Sequence, residues 1–218
     1  MILTCKAAAK PAEGSATMYI PKHFEQMDER ALWDFIDAHA FGTLITAVDA
    51  APFASHLPFL CDRATRTLHC HVARANPHWL KVADCAPVLA IFAGPHGYIS
   101  PTWYVDPGVP TWNYAVVHVV GEARSVDDPA HTRRHVEALA AKFERGRAAP
   151  WVPDYDPRRL SGIVGIEIRV GKIEGKFKLS QNRSAADRAA VVAQLAASGS
   201  DNDQALARLM AGADAPRS

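Results

Sequence analysis

The sequence predicts a mainly β protein, a small antiparallel barrel carrying helical decorations. Short runs rich in β-branched and aromatic residues follow one another between turn residues. Helical patterns are too few to separate most of these runs, which argues against a doubly wound sheet. From Pro95 to Gly121 the rings of Tyr98, Trp103, Tyr104, Trp112 and Tyr114 crowd between Gly, Pro and Asn. That density suits a surface that meets something flat or another subunit.

Ordered chain is expected from Tyr19-Ile20-Pro21 onward. Residues 1–17 read as a disordered leader: the apolar start is too short for a signal peptide, and Lys6 and Lys10 follow it rather than precede it. Leu32, Trp33, Phe35 and Ile36 recur at helical spacing between Asp28 and His39. Strands are expected at 42–48, 54–61, 67–72 and 88–92, six or seven in all with those that follow. Pro58 cannot donate to a ladder, so its strand lies at an edge or carries a bulge. Asn76-Pro77 before Trp79, Leu80 and Val82 reads as a helix start, with Asn as cap and Pro in the first turn.

Beyond the aromatic stretch, 114–121 is a strand and Asp128-Pro129 opens a helix reaching Phe143. The Pro- and Arg-rich segment 146–159 is a loop with Trp151 as an anchor. Residues 163–170 alternate strictly, and 172–179 continue that strand past a kink or bulge at Gly171. Ser184 to Asp187 forms a capping-box pattern ahead of Val191, Val192 and Leu195, and a further helix starts at Asp201. The main domain is placed at 18–198, with 199–218 as a C-terminal helix and tail.

Composition narrows the class. At 218 residues, 49% hydrophobic and 22% charged, the chain is long enough to bury a core and has ordinary globular balance. A net charge of +1 gives no global field for nucleic acid or anionic membrane. Cys5, Cys61, Cys70 and Cys85 show neither a CxxC pair nor a disulfide framework, which favours reduced packing thiols and a cytoplasmic protein. No apolar run approaches a membrane span.

Four segments could carry chemistry. The segment from His69 to Pro77 runs from a strand into a capped helix start, with Arg74 just before it; free amides and a guanidinium together suit a phosphate monoester, and the plain alternative is a capped helix with an exposed arginine. His69 and His71 share one strand face, a metal-compatible spacing, but no carboxylate or cysteine at matching spacing accompanies them, so no metal is assigned. The strand around His56, Leu57 and Pro58 offers edge backbone groups to a planar heterocycle. The run 175–183 (GKFKLSQNR) is basic and polar and could contact phosphate, a flavin edge or DNA backbone. GxSxG, HExxH and Gly-rich nucleotide loops are absent, and no catalytic residue is nominated.

Taken together, MYIPKHF (18–24), SHLPFL (55–60), ARANPHW (73–79), FAGPHGYISPTWY (92–104), VPTWNYAVVHVVG (109–121) and GKFKLSQNR (175–183) resemble the PaiB family of FMN-binding negative transcriptional regulators. The resemblance implies a split β-barrel of six to eight antiparallel strands with C-terminal helices, similar to pyridoxamine-phosphate-oxidase-like and flavin-reductase-like proteins. It also implies a homodimer with FMN in a cleft between subunits. By motif position the flavin ring lies along His56, Leu57 and Pro58, and its phosphate at His71, Arg74, Ala75 and Asn76. Trp112, Asn113, Lys178, Ser180 and Gln181 come from around the subunit interface.

The leading functional expectation is therefore an FMN-binding, homodimeric repressor of genes such as those for sporulation and degradative enzymes. The chain shows no helix-turn-helix. Weak electrostatic DNA binding would come from Arg158, Arg159, Arg169, Lys172, Lys176, Lys178 and Arg183, set against Glu167 and Glu174. The alternative is an FMN-dependent oxidoreductase with no direct DNA role. A third reading is a haem-binding or haem-degrading split barrel, with His56, His71, His96 or His118 as axial ligand.

Overall fold

Alternation of buried and outward residues governs the long strands. In the computed structural model, which describes residues 18–48, 51–82 and 87–213, Asn113, Ala115, Val117, Val119 and Gly121 are the buried positions of one strand, Thr111–Val126. That period of two is what a sheet with one covered face requires. The leader 1–17, Cys5, Cys85 and the last five residues, 214–218, lie outside the described residues.

The strands are β1 (Glu25–Gln26), β2 (Phe41–Val48), β3 (Ala51–Pro58), β4 (Leu60–Asp62), β5 (Thr67–Ala73), β6 (Pro87–Ile99), β7 (Thr111–Val126) and β8 (Ile163–Lys178). The helices are α1 (Glu29–Ala38), α2 (His78–Lys81), α3 (Pro129–Glu144), α4 (Ala185–Ala197) and α5 (Asp201–Ala213). The eight strands form one antiparallel sheet in the order β3-β2-β6-β7-β8-β5-β4, with β1 pairing with β8. The sheet is not closed: β3 and β4 end the path. This is the mainly β, split-barrel class that the sequence implied, and no helix among the described residues is long and apolar enough to cross a membrane.

Two local expectations change. The strand expected at 54–61 is two strands, because Pro58 ends β3 and the buried Phe59 turns its N–H to the Ala40 carbonyl at 2.8 Å. The helix expected after Asn76 is a single turn, α2, whose first residue His78 is drawn fully into the interior. The strand continues through Gly171 to Lys178, as expected. Asp128 accepts from the amides of Ala130 and His131 at the start of α3, and Ser184 from Asp187 at the start of α4; at α2 the cap position falls on Pro77 rather than the expected Asn76, whose Oδ1 accepts from the His78 amide.

The chain divides into two packed units. The first contains Ile36–Phe92 and His118–Ile173, and its interior includes Leu44, Phe59, Leu68, Cys70, Phe92, Val164, Ile166 and Ile168. Phe59 and Phe92 meet edge to face at 5.1 Å. The second contains Met18–Phe35, Ala93–Val117 and the chain from Glu174. Its core joins Ile99 and Leu179 to the apolar faces of α4 (Val191, Leu195) and α5 (Leu206, Ala207, Met210).

Candidate functional site

In the first unit the expected phosphate ligands are already committed. Arg74 Nε donates to the Ser161 carbonyl at 2.6 Å, and its two terminal nitrogens donate to both carboxylate oxygens of Asp127 at 2.8 and 2.5 Å. This fork-to-fork pair holds the Asp127 carboxyl below its ordinary pKa and the guanidinium above. Asn76 is equally engaged: Nδ2 donates to Ser55 Oγ, and Oδ1 accepts from the His78 amide. His78 completes the network, 2.9 Å from Ser55 Oγ and 3.2 Å from Thr46 Oγ1, and burial, with Lys81 adding, keeps its pKa low. Ala75 is an exposed turn residue between them.

His56 is exposed on the end strand β3, 2.9 Å from Thr43 Oγ1, while Leu57 is buried. Pro58 and His71 line one apolar cavity of about 480 Å³ with Val136, Leu139, Phe143 and Trp151. Trp151, expected as an anchor, is half exposed and stacks on Tyr155 of the same Pro- and Arg-rich loop, ring centroids 6.1 Å apart. His71 Nδ1 lies 3.0 Å from His135 Nε2, and burial lowers the pKa of His71.

The second unit gathers the remaining expected residues. Asn113 is fully buried, and its Nδ2 donates to Ser180 Oγ at 2.8 Å; Ser180 Oγ in turn lies 3.2 Å from Asn113 Oδ1. Ser180 sits at φ 65°, a left-handed conformation that costs a non-glycine residue about 1–2 kcal/mol and persists where surrounding bonds fix it. Gln181 supports the same turn, accepting from the Leu179 amide at 2.7 Å. Lys178 Nζ donates to Thr111 Oγ1 and to the Trp112 carbonyl, both at 2.6 Å. Burial first, then Lys176, lowers the Lys178 pKa, and among the described residues no carboxylate pairs with it.

Lys178 and Ser180 open onto a cavity of about 460 Å³ shared with Phe24, Tyr104, Val109, Thr111, Asn182 and Arg183. The Arg183 guanidinium stacks over Tyr104 at 4.0 Å, with Asp187 at 3.7 Å. Asp187 is spent mainly on the backbone, accepting from the amides of Val105 and Asp106. Glycine at 108 lets this wall pack closely: a Cβ there would overlap the Tyr104 ring and the far end of the Arg183 side chain. Tyr104, Phe24 and Arg183 line this cavity without having been among the expected contacts. The signal for them was modest, since Arg183 closes the basic run and Phe24 lies in the first motif.

Trp112 is 54% exposed, near Tyr98 and His96 with ring centroids 6.2 and 6.4 Å away. Of the basic residues at 158–183, Arg158 pairs closely with Asp156 and Arg169 with Glu122, so part of that charge is locally balanced, while Arg183 lies 3.7 Å from an Asp187 already bonded to backbone amides. Of the haem-ligand candidates not yet placed, His96 lies 3.2 Å from the Gly94 carbonyl and His118 is half-buried on β7. Cys61 and Cys70 are free thiols, and burial pushes Cys61 up to about 11 and Cys70 higher still. His69 is brought beside His131 and Glu167, two partners that sequence spacing did not offer.

An open antiparallel sheet of eight strands with flanking helices is the split-barrel class of fold. The family described as "Putative FMN-binding domain" matches residues 18–172. "Protease synthase and sporulation protein PAI 2" of Bacillus subtilis is 36% identical over 200 residues, covering 88% of this chain and 96% of that protein. An uncharacterised Saccharomyces cerevisiae protein is 32% identical over 137 residues, 51% of this chain and 80% of that one. The chain belongs to this FMN-binding-domain family and is a PaiB-type flavin-binding protein. Solved structures share the fold: the flavocytochrome Anf3 of Azotobacter vinelandii (TM-score 0.62, 12% identity, 80% of each chain) and an FAD- and heme-binding protein of Mycobacterium smegmatis (TM-score 0.59, 18% identity, 77% and 79%).

Proposed function

We propose that this chain is an FMN-binding homodimer that regulates gene expression, with the flavin phosphate held by Lys178 and Arg183. One observation carries the proposal: a half-buried lysine without a carboxylate partner among the described residues shares a cavity with an arginine and two aromatic rings. Burying an unpaired ammonium is unfavourable, and a phosphate dianion beside it offsets that cost. Thr111 and Asn182 add hydrogen-bonding groups, while Phe24 and Tyr104 offer flat apolar surface to an isoalloxazine ring. When bound, FMN supplies the redox chemistry. The chain binds and orients it.

A phosphate at Arg74 and Asn76 has less support. Both side chains spend their donors on the protein, and the Asp127 carboxylate would repel a second anion. The same expectation assigns the flavin ring to His56, Leu57 and Pro58. The cavity of the second unit answers ring and phosphate with one set of residues.

For the dimer, a second copy covers the exposed Tyr98–Trp112 pair on β6 and β7. The pair adjoins a shallow hollow of about 320 Å³ lined by Ala93, His96, Trp112, Tyr114 and Ala115. The regulatory role rests on likeness to the Bacillus subtilis protein, whose name records protease synthesis and sporulation. Helices α4 and α5 carry only Arg188 and Arg208 as basic residues, so control is assigned to the flavin-loaded dimer rather than to a recognition helix there.

The test is titration with FMN and with riboflavin, read by flavin fluorescence, alongside light scattering for mass. FMN retained through desalting, riboflavin bound more weakly and a dimeric mass are the expected results. A protein that takes up neither flavin overturns the cofactor assignment. A monomer that becomes no heavier with FMN overturns the dimer.

A further inference from the structure

Outside the flavin cavity, the imidazoles of the first unit gather in one place. In the β5–β8 ladder His69 stands opposite Glu167, and His71 opposite Gly165. Cross-strand partners share a face, so these positions form one patch. Helix α3 lies over it. A Cβ at Gly165 would come within 3.2 Å of the His131 ring, so glycine lets the helix settle against the strand. His131 and His135 are one helical turn apart, and His135 is occupied by His71.

The remaining three groups converge. His131 Nδ1 lies 3.5 Å and His69 Nδ1 3.8 Å from the same oxygen, Glu167 Oε1. The three ligand atoms lie within 4.8 Å of one another. The side chains are only 16–23% exposed. Glu167 Oε2 is held separately by Arg124, itself largely exposed. These separations exceed the roughly 2.7–3.2 Å of an N–H···O bond. They approach the ~3.3 Å edge of a tetrahedron built on metal–ligand bonds of about 2.0–2.1 Å.

We infer that His69, His131 and Glu167 form a binding site for a divalent transition metal of the zinc class, with a fourth position open to water or a small ligand. Two imidazole nitrogens and one carboxylate oxygen suit that class, whereas calcium and magnesium favour oxygen alone. Arg124 on the second carboxylate oxygen is the kind of outer contact that orients a ligating glutamate. The ion would clip α3 to β5 and β8.

The experiment uses the full chain, stripped with chelator and dialysed. It is titrated with Zn²⁺ by calorimetry and with Co²⁺ by visible absorption. One ion per chain, a tetrahedral cobalt band and a raised melting temperature are expected. His131→Ala and Glu167→Gln should each lower Zn²⁺ affinity by more than about tenfold, since loss of an outer contact alone typically costs that much. His23→Ala, at an exposed histidine, should leave it unchanged. Glu167→Gln keeps shape and an acceptor for Arg124, so it decides the matter should His131→Ala unfold. No ion bound by the wild type, or affinity unchanged in folded Glu167→Gln, overturns the site.

Discussion

Replacing Lys178 by methionine isolates the charge that the flavin phosphate is proposed to meet. Methionine keeps most of the stem that spans the cavity wall and removes the ammonium. In the protein Nζ spends two donors, on Thr111 Oγ1 and the Trp112 carbonyl, and a third is left for a ligand. A hydrogen bond to a charged group is worth about 1.5–3 kcal/mol. At about 1.4 kcal/mol per tenfold, Lys178→Met should weaken FMN binding by roughly ten- to a hundredfold. Riboflavin, which has the ring and ribityl chain but no phosphate, should bind the variant and the wild type alike. The assay is parallel fluorescence titration with both flavins. An equal loss for both would show that Lys178 shapes the ring site or the fold. No loss for FMN would place the phosphate elsewhere.

Three further outcomes follow from particular contacts. Arg74→Ala should lower the melting temperature by freeing Asp127 and the 161–163 carbonyls, while FMN affinity stays unchanged; a selective loss of FMN over riboflavin would return the phosphate to Arg74. Asn113→Ala should destabilise the protein by about 1–3 kcal/mol in chemical denaturation, because Ser180 Oγ loses a buried partner, and an unchanged midpoint would contradict that network. Burial holds His135 down at about 3, with His71, His69 and His131 adding to the shift. The unfolded chain accepts this proton near 6.5 while the folded state refuses it. Stability is therefore complete above 6.5 and declines as pH falls toward 3. Melting curves from about pH 7.5 to pH 5 should drop in the wild type and less steeply in His135→Gln, where His71 and His78 still contribute; parallel profiles would refute the assignment.

What the residues revealed unaided was local. Strict alternation at 163–170 depends only on a two-residue period. The caps at Asp128 and Ser184 depend on a side chain reaching an amide two or three residues away, so they too were legible. The motifs 109–121 and 175–183 likewise marked the segments that build the cavity proposed for the flavin. The length of α2 was not legible, because His78 is bound by Thr46 and Ser55, which are distant in the chain.

The candidate site divides the same way. Arg74 and Lys178 look alike in sequence, each a cation beside polar residues at the end of a strand. Only packing decides that Asp127 meets Arg74 while no described carboxylate meets Lys178. The spacing of His69 and His71 was visible, yet their neighbours come from α3 and β8, and strand register fixes which carboxylate faces which imidazole. Sequence thus determined the kinds of groups and the elements that bear them. Tertiary structure determined which charges are spent on the protein and which remain for a ligand, because a charge's partner is set by what folds against it rather than by what adjoins it in the chain.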